Sequence, residues 1–526
     1  MFTQPTTADI AALSRAMGLG LEPHEAELVR DYVAAALPEI AIPASVLAAE
    51  PQLPRTDVPR TGIRPSLPSE DPYNVFITRC HVAGPPGGVL AGLRVGLKDH
   101  ISVAGVPLTF GCRFLDGYVP GFDATVVTRL LRAGATIAGK LNMEAFSCGA
   151  GLSGYRDYGR VLNPWDTSRS AGGSSSGSGA AVSARMLDVA FGGDQGGSVR
   201  LPASWCGVAG LKPTHGLIPH TGAFGMELLH DHLGVLALSV ADVARVTEAV
   251  AGPDGYDARQ DPARPPPRLT EGLTGTLDGL RIGVLTEGFG PATQAGVRAG
   301  VLGAADVFRS RGAAVTDVSI PLHTSAAAVA VPLLTTAAGS WYDLGLTAPN
   351  SGFVPAELVE AVLAARRRGA KLPVYVAAEA LLGRYLIEQS AGLLACQSAN
   401  LRAILVRAYA AAFADVDLLL MPTVPWTAPP YEESADRARD VELSLTGGGI
   451  GGSFHSLIEN MWPFNFVGLP ALTIPCALAD GLPVGLQIVG RRHEDDVVLR
   501  AGYAFEQAVD WAALTTPPGG PGQDAG

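Results

Sequence analysis

Two short segments carry the residue types that acyl transfer needs. The first is Ser170-Ala-Gly-Gly-Ser174-Ser175-Ser176-Gly-Ser178-Gly179, and the second is Gly192-Gly-Asp194-Gln195-Gly196-Gly197-Ser198-Val-Arg200. Glycine permits positive φ and lets backbone N–H groups approach a ligand closely. Successive N–H groups in such a turn make an anion nest. Around a reacting carbonyl that nest is an oxyanion hole, with donors roughly 3 Å from the developing charge. A serine at its end is positioned to be the nucleophile, but a hydroxyl needs a base. No histidine lies in either segment; His215, His220, His230 and His232 follow downstream and read as structural or rim residues. The other candidate base is lysine. Lys98, Lys140, Lys212 and Lys371 are the lysines of the chain, against a Lys plus Arg total of 38. Lys98 ends the apolar run Arg94-Val-Gly-Leu-Lys98, where burial would favour its neutral amine. Spacing alone does not say that Lys98 reaches the serines.

These segments must be held by regular structure. A helix over Ala180 to Leu187 and a strand over Val189 to Phe191 are expected between them. Leu93 to Leu97, Thr136 to Ala138, Arg281 to Leu285 and Val416 to Leu420 read as strands. Thr125 to Ala133, Ala292 to Gly312 and most of Glu379 to Phe413 read as helices. The pattern is α/β. Residues 1–72 are expected to be a helical extension and a Pro-rich linker, 73–512 the catalytic domain, and 513–526 a disordered tail.

Composition narrows the function. The chain has 526 residues, of which 47% are hydrophobic and 17% charged, enough for one large domain with a generous core. The net charge of −12 argues against a nucleic-acid partner, because neutralising phosphates needs a basic face. The start of the chain lacks a basic and an apolar signal region, and the apolar stretch Ser319 to Tyr342 is interrupted by Pro321, His323 and Pro332. No membrane attachment is expected, and the location is expected to be cytoplasmic. The six cysteines are scattered without a C-x-x-C, as reduced thiols rather than disulfides or a metal site.

Three tempting motifs fail. Gly173-Ser-Ser175-Ser-Gly177 fits the nucleophile-elbow pattern, but a polar loop precedes it where that motif needs a strand. Gly134-Ala-Thr-Ile-Ala-Gly139-Lys140 nearly matches a phosphate-binding loop, but Leu141 stands where a Ser or Thr would hold magnesium. Cys148 as nucleophile would leave the serine-rich nest unexplained.

The ordered set of motifs resembles the amidase signature family. Val95-Gly-Leu-Lys98-Asp99, Gly139-Lys-Leu-Asn142-Met143-Glu144-Ala-Phe146, Asn163-Pro-Trp-Asp166, Gly172-Gly-Ser174-Ser175, Asp194-Gln-Gly-Gly-Ser198-Val-Arg200 and Pro463-Phe-Asn465 carry the likeness, which runs from about Tyr73 to Gln507. Within the family the chain is similar to nitrile-pathway (enantioselective, broad-spectrum) amidases. The resemblance implies a central mixed β-sheet wrapped by helices, no cofactor, no metal and a homodimer. It implies Ser198 as the acylated nucleophile, Ser174 as a bridging serine on a cis peptide, and Lys98 as the base. The N–H groups of Gln195, Gly196, Gly197 and Ser198 would form the oxyanion hole. Asp194, Arg200 and Ser175 would brace the loops. Cys148, Gly149, Phe146 and Trp341 are the expected lining of the substrate pocket. Two departures stand out: Ser176 replaces a family glycine, and Cys148 stands where Met is common. The implied activity is hydrolysis of small carboxamides. The alternatives are a specialised aryl-acylamide or biosynthetic amide hydrolase, the glutaminase component of a tRNA-dependent amidotransferase, or a catalytically silent scaffold.

Overall fold

The fold follows from strands that are apolar on both faces, which must be covered on both sides. Strand β5 (Val189–Asp194) and strand β12 (Leu482–Gly490) are buried along their whole length. The structure is a computed structural model, and it describes residues 3–40, 42, 46, 53–149, 157–344, 353–432, 436–446 and 454–519. The chain divides into two compact units, residues 1–52 and 53–526.

The first unit contains two helices, Thr7–Met17 and Pro23–Ile40. Thr6 starts the first with a reciprocal cap: its hydroxyl accepts from the Asp9 N–H, and the Asp9 carboxylate accepts from the Thr6 N–H. Gly18, in the left-handed region at φ 66°, ends it.

The second unit is built on one mixed sheet of twelve strands among the described residues, in the order β1-β2-β4-β3-β5-β7-β6-β11-β12-β10-β8-β9. The remaining strands are β1 Thr61–Pro65, β2 Phe76–Ala83, β3 Arg94–Lys98, β4 Thr136–Leu141, β6 Ala209–Lys212, β7 His232–Ala237, β8 Arg281–Leu285, β9 Ala314–Val318, β10 Leu418–Pro422 and β11 Ala471–Ala479. Strands β4, β3 and β5 run parallel side by side, with Leu97 opposite Lys140 on one side and Phe191 on the other. Their carboxyl ends therefore emerge at one edge of the sheet. Helices Thr125–Arg132, Val240–Val250 and Asp495–Glu506 bury their apolar faces in the largest core cluster. None of the described helices is long and apolar enough to cross a membrane.

Three expectations need correction. The Pro-rich stretch is not a linker up to residue 72: Thr61–Pro65 is the edge strand β1, paired antiparallel with β2. An edge strand tolerates proline because one side of its backbone has no ladder to join. Arg60 also ties this stretch down by an ion pair to the buried Asp123 at 2.6 Å. At the other end, the boundary expected at residue 513 falls inside the helix Trp511–Thr515, capped by Asp510; residues 520–526 lie outside the described part.

The third correction concerns the first Gly/Ser segment. The helix covers Ser176–Ser183 rather than Ala180 to Leu187, and it is buried throughout. Glycine and serine are poor helix formers, so the segment reads locally as loop. Tertiary packing reverses that preference. A Cβ at Gly177 would lie 2.5 Å from the Asn142 carbonyl oxygen and 2.7 Å from that of Val75. The missing side chain is what lets this helix sit against the backbone beside β4.

Candidate active site

Lys98 is the last residue of β3, and its side chain is fully buried. Its Nζ donates to Ser174 Oγ at 2.7 Å and to the Gly193 carbonyl at 3.3 Å. The neighbouring Asp99 takes no part in this pair. It is saturated on its own side by Lys140 Nζ at 2.7 Å and by the Thr109 N–H at 2.8 Å. Lys140 is therefore a structural counter-charge on a strand, and no phosphate-binding loop exists at residues 134–140. Burial pushes the Lys98 amine down to about 7, partly offset by the charges of Asp194 and Glu144. A lysine in that range has an accessible neutral form at neutral pH, as a general base requires.

Ser174 sits in the loop before the helix Ser176–Ser183, fully buried, and the Gly173–Ser174 peptide is cis. Its carbonyl accepts the Glu144 N–H at 3.1 Å, which links the loop to the segment following β4. Ser175 is also fully buried, and its hydroxyl donates to the Gly193 carbonyl at 3.3 Å. It braces the loop against β5.

Ser198 lies in the turn between β5 and the helix Arg200–Cys206, half-buried. It opens into a cavity of about 250 Å³ together with Gly173, Gln195, Gly196 and Gly197. Leu201, Met226, Val331, Leu334, Ala338, Leu382, Phe454, Ile458, Met461 and Trp462 make most of the wall apolar.

The turn is shaped by Asp194, which ends β5. Its carboxylate accepts the N–H groups of Gly197 at 2.7 Å and Val199 at 3.1 Å. Arg200 grips the same carboxylate through Nε at 3.1 Å and Nη2 at 3.0 Å, with both side chains fully buried. Burial alone would raise the Asp194 carboxyl; the Arg200 charge and its hydrogen bonds outweigh that and hold it well below the usual range. The expected oxyanion-hole set is corrected here. The Gly197 N–H is turned inward and spent on Asp194, with Gly197 at φ 128°. The N–H groups of Gln195, Gly196 and Ser198 make none of the hydrogen bonds found among the described residues.

Two residues of the C-terminal motifs complete this network, and their roles were not foreseen from the sequence. Asn465 donates to the Asp194 carbonyl at 2.7 Å and carboxylate at 2.8 Å, and Gln487 accepts from Arg200 at 2.8 Å. Asn465 lies 271 residues from Asp194 along the chain, and Gln487 lies 287 from Arg200. Their polar side chains inside apolar runs were the available signal, since a buried amide needs partners.

The expected pocket residues divide. Cys148 and Gly149 line the cavity. Phe146 does not: it is fully buried, with edge-on contacts to Phe110, Phe114 and Phe224. Its apolar ring is worth more in that aromatic cluster than against solvent. Trp341 falls in the helix His323–Leu344, and its side chain lies outside the described residues. Burial drives the Cys148 thiol well above its ordinary value, the opposite of a nucleophile's thiolate. His215, His220, His230 and His232 are buried, and none of them is among the residues that line the cavity.

Comparison with known proteins agrees with this geometry. A family model described as Amidase matches residues 77–499. An enantioselective amidase of Rhodococcus rhodochrous is 39% identical over 454 residues, covering 84% of each chain. The A subunit of the glutamyl-tRNA(Gln) amidotransferase from Chloroflexus aggregans is 37% identical, covering 80% of this chain and 83% of its own. Among solved structures, 6-aminohexanoate cyclic dimer hydrolase, complexed with substrate, superposes with a TM-score of 0.69 at 28% identity, over 82% of this chain and 88% of that one. The corresponding amidotransferase chain of Thermotoga maritima gives 0.65 at 29% identity, over 85% and 90%. The family match across most of the chain, with the buried lysine–serine pair beside a serine-lined cavity, shows that this chain belongs to the amidase signature family, hydrolases of amide C–N bonds.

Proposed function

We propose that the protein hydrolyses small carboxamides to the carboxylic acid and ammonia or amine, through an acyl-enzyme on Ser198. The observation that carries this reading is the 2.7 Å contact between Lys98 Nζ and Ser174 Oγ, behind a cavity into which Ser198 opens. Neutral Lys98 takes the Ser174 hydroxyl proton as Ser174 takes that of Ser198. Ser198 Oγ attacks the amide carbonyl, and the charge on its oxygen is met by the N–H groups of Gln195, Gly196 and Ser198. The tetrahedral intermediate collapses as Ser174 protonates the departing nitrogen. Water, deprotonated by the same relay, then attacks the ester and releases the acid. Arg200 and Asp194 act by holding the turn.

The apolar wall favours an aliphatic or aryl acyl group over glutamine. Glutamine carries an α-carboxylate beside its α-ammonium, and although Glu379 could meet the ammonium, no cationic side chain lines the cavity among the described residues to take the carboxylate. That is the reason to prefer a small-amide hydrolase to the glutaminase component of a tRNA-dependent amidotransferase. A cavity near 250 Å³ lies just below the usual range of ligand sites, roughly 300–1,000 Å³, which suits a small substrate. The same reading takes the protein as a cytoplasmic homodimer that needs neither cofactor nor nucleic acid. Exposed Leu13, Met17, Leu28 and Tyr32 on the N-terminal helices offer apolar surface for a second copy.

The first test is ammonia release from a panel of aliphatic, aromatic and N-aryl amides, with Ser198→Ala as control. Release from several primary amides that disappears in the variant is expected. Turnover that survives Ser198→Ala overturns the reading.

A further inference from the structure

The catalytic cavity has one feature that amide chemistry does not use. Among its described lining residues, Glu379 is the single side chain that carries charge as a carboxylate. It comes from the helix Val374–Ser390, on the same face as Leu382, which also lines the cavity.

The position of Glu379 is determined by packing. One turn before it, the Tyr375 hydroxyl accepts the Ala145 N–H at 2.9 Å, anchoring this helix face to the segment that leads into Cys148. One turn after it, Gly383 crosses the helix His323–Leu344 at Gly339. A Cβ on Gly383 would lie 2.1 Å from the Thr335 carbonyl oxygen, so the two backbones touch there. Between these two anchors the carboxyl faces the cavity, open to its solvent but flanked by protein. No hydrogen bond or ion pair engages it among the described residues, unlike the Glu70, Glu227 and Glu357 carboxylates, each of which has a partner. The protein packed around its stem raises its carboxyl above the ordinary range although the residue is exposed. Glu379 is an exposed residue, so its carboxyl meets the cavity's solvent, and its negative charge at an otherwise uncharged apolar wall is the feature a bound cation would pair with.

We infer that Glu379 forms a subsite for a protonated amine at the far end of the substrate, so that the preferred substrates are amides whose apolar chain ends in an ammonium group. The inference rests on the proposed amide hydrolysis at Ser198 and names the class of substrate within it. Apolar residues lining the same cavity as Ser198 and Glu379, among them Leu334 and Met461, would hold the chain. The charge at its end is paired by the carboxylate.

The test is a matched pair of primary amides, 6-aminohexanamide and heptanamide, which differ by an ammonium in place of a methyl group. The wild-type protein is expected to favour the ammonium amide in kcat/KM. Glu379→Gln is expected to lower that preference by about tenfold or more, mainly through KM, as for loss of a charge-assisted hydrogen bond. Glu379→Lys is expected to shift it towards the monoamide of adipic acid. An unchanged preference in both variants overturns the subsite. Loss of turnover of both amides in Ser198→Ala, with an unchanged preference in Glu379→Gln, would remove the subsite alone and leave the hydrolytic reading standing. Calorimetric binding of 6-aminohexanamide to Ser198→Ala, with and without Glu379→Gln, reads the subsite independently of turnover. Equal binding to both proteins, or none to either, overturns it.

Discussion

The Lys98 amine lies 2.7 Å from the Ser174 hydroxyl, both side chains fully buried, and the carboxylate next in sequence, Asp99, is committed to Lys140. Adjacent residues at a strand end point to opposite faces. The sheet thus separates a lysine held in a salt bridge from one whose neutral form is accessible.

Removing the base should disable the reaction. Lys98→Ala is expected to lower kcat for amide hydrolysis by about two orders of magnitude or more, and so is Ser198→Ala. Lys98→Arg should fare no better, because a guanidinium does not deprotonate in this pH range. Steady-state ammonia release from a primary amide measures all three.

The pH dependence follows from the direction of the Lys98 shift. Below about 7 the amine is protonated and has no lone pair to accept the Ser174 proton; above it the neutral base dominates. The rate should rise with pH through about 7 and level off above it. A kcat/KM profile that is flat from about pH 6 to 9 would exclude lysine as the base. The same shift has a stability counterpart. Between about 7 and the ordinary 10.5, the unfolded chain holds a proton that the folded protein does not. The contribution of Lys98 to stability therefore rises with pH across that window. Urea midpoints of wild type and Lys98→Met should converge as the pH is raised.

The turn that carries Ser198 depends on a buried ion pair. Asp194→Asn leaves Arg200 without its counter-charge in a fully buried site. A loss of about 3 kcal/mol or more in urea unfolding is expected, together with loss of activity. Asp194 and Arg200 variants should couple strongly in a double-mutant cycle.

Two glycines should respond oppositely to alanine. At Gly177 a Cβ meets two carbonyl oxygens, at 2.5 and 2.7 Å, so Gly177→Ala should destabilise by roughly 1–3 kcal/mol and disturb the adjacent Ser174 loop. At Gly303, within the helix Ala295–Ser310, nothing lies within 4 Å of the added Cβ. Gly303→Ala should stabilise by up to about 1 kcal/mol. Thermal melts of the two variants distinguish them.

Cysteine reactivity should run against proximity to the catalytic site. Cys148 lines the cavity with a thiol raised well above its ordinary value, whereas Cys396 is exposed. Iodoacetamide at neutral pH is expected to label Cys396 first, as read by peptide mass spectrometry. Rapid alkylation of Cys148 would revive it as a nucleophile.

The serine loops, the strand ending at Lys98 and the family were legible in the linear chain, because glycine-rich turns, apolar strands and ordered motifs are local patterns. Lys98 as a base could be suspected from its apolar neighbours, but its contact with Ser174 spans 76 residues and needs β3 set beside β5. The structure also decided against several local signals. Ser176–Ser183 is a helix despite its glycines, because only a residue without a side chain fits at Gly177 against Asn142 and Val75. The Gly197 N–H is drawn from the expected oxyanion hole by a carboxylate three residues earlier. Phe146 leaves the pocket for an aromatic cluster assembled from distant segments. Residue type sets which chemistry is available; long-range packing sets which N–H groups, rings and carboxylates face the reacting atoms, since burial and pairing energies depend on neighbours the sequence does not place side by side.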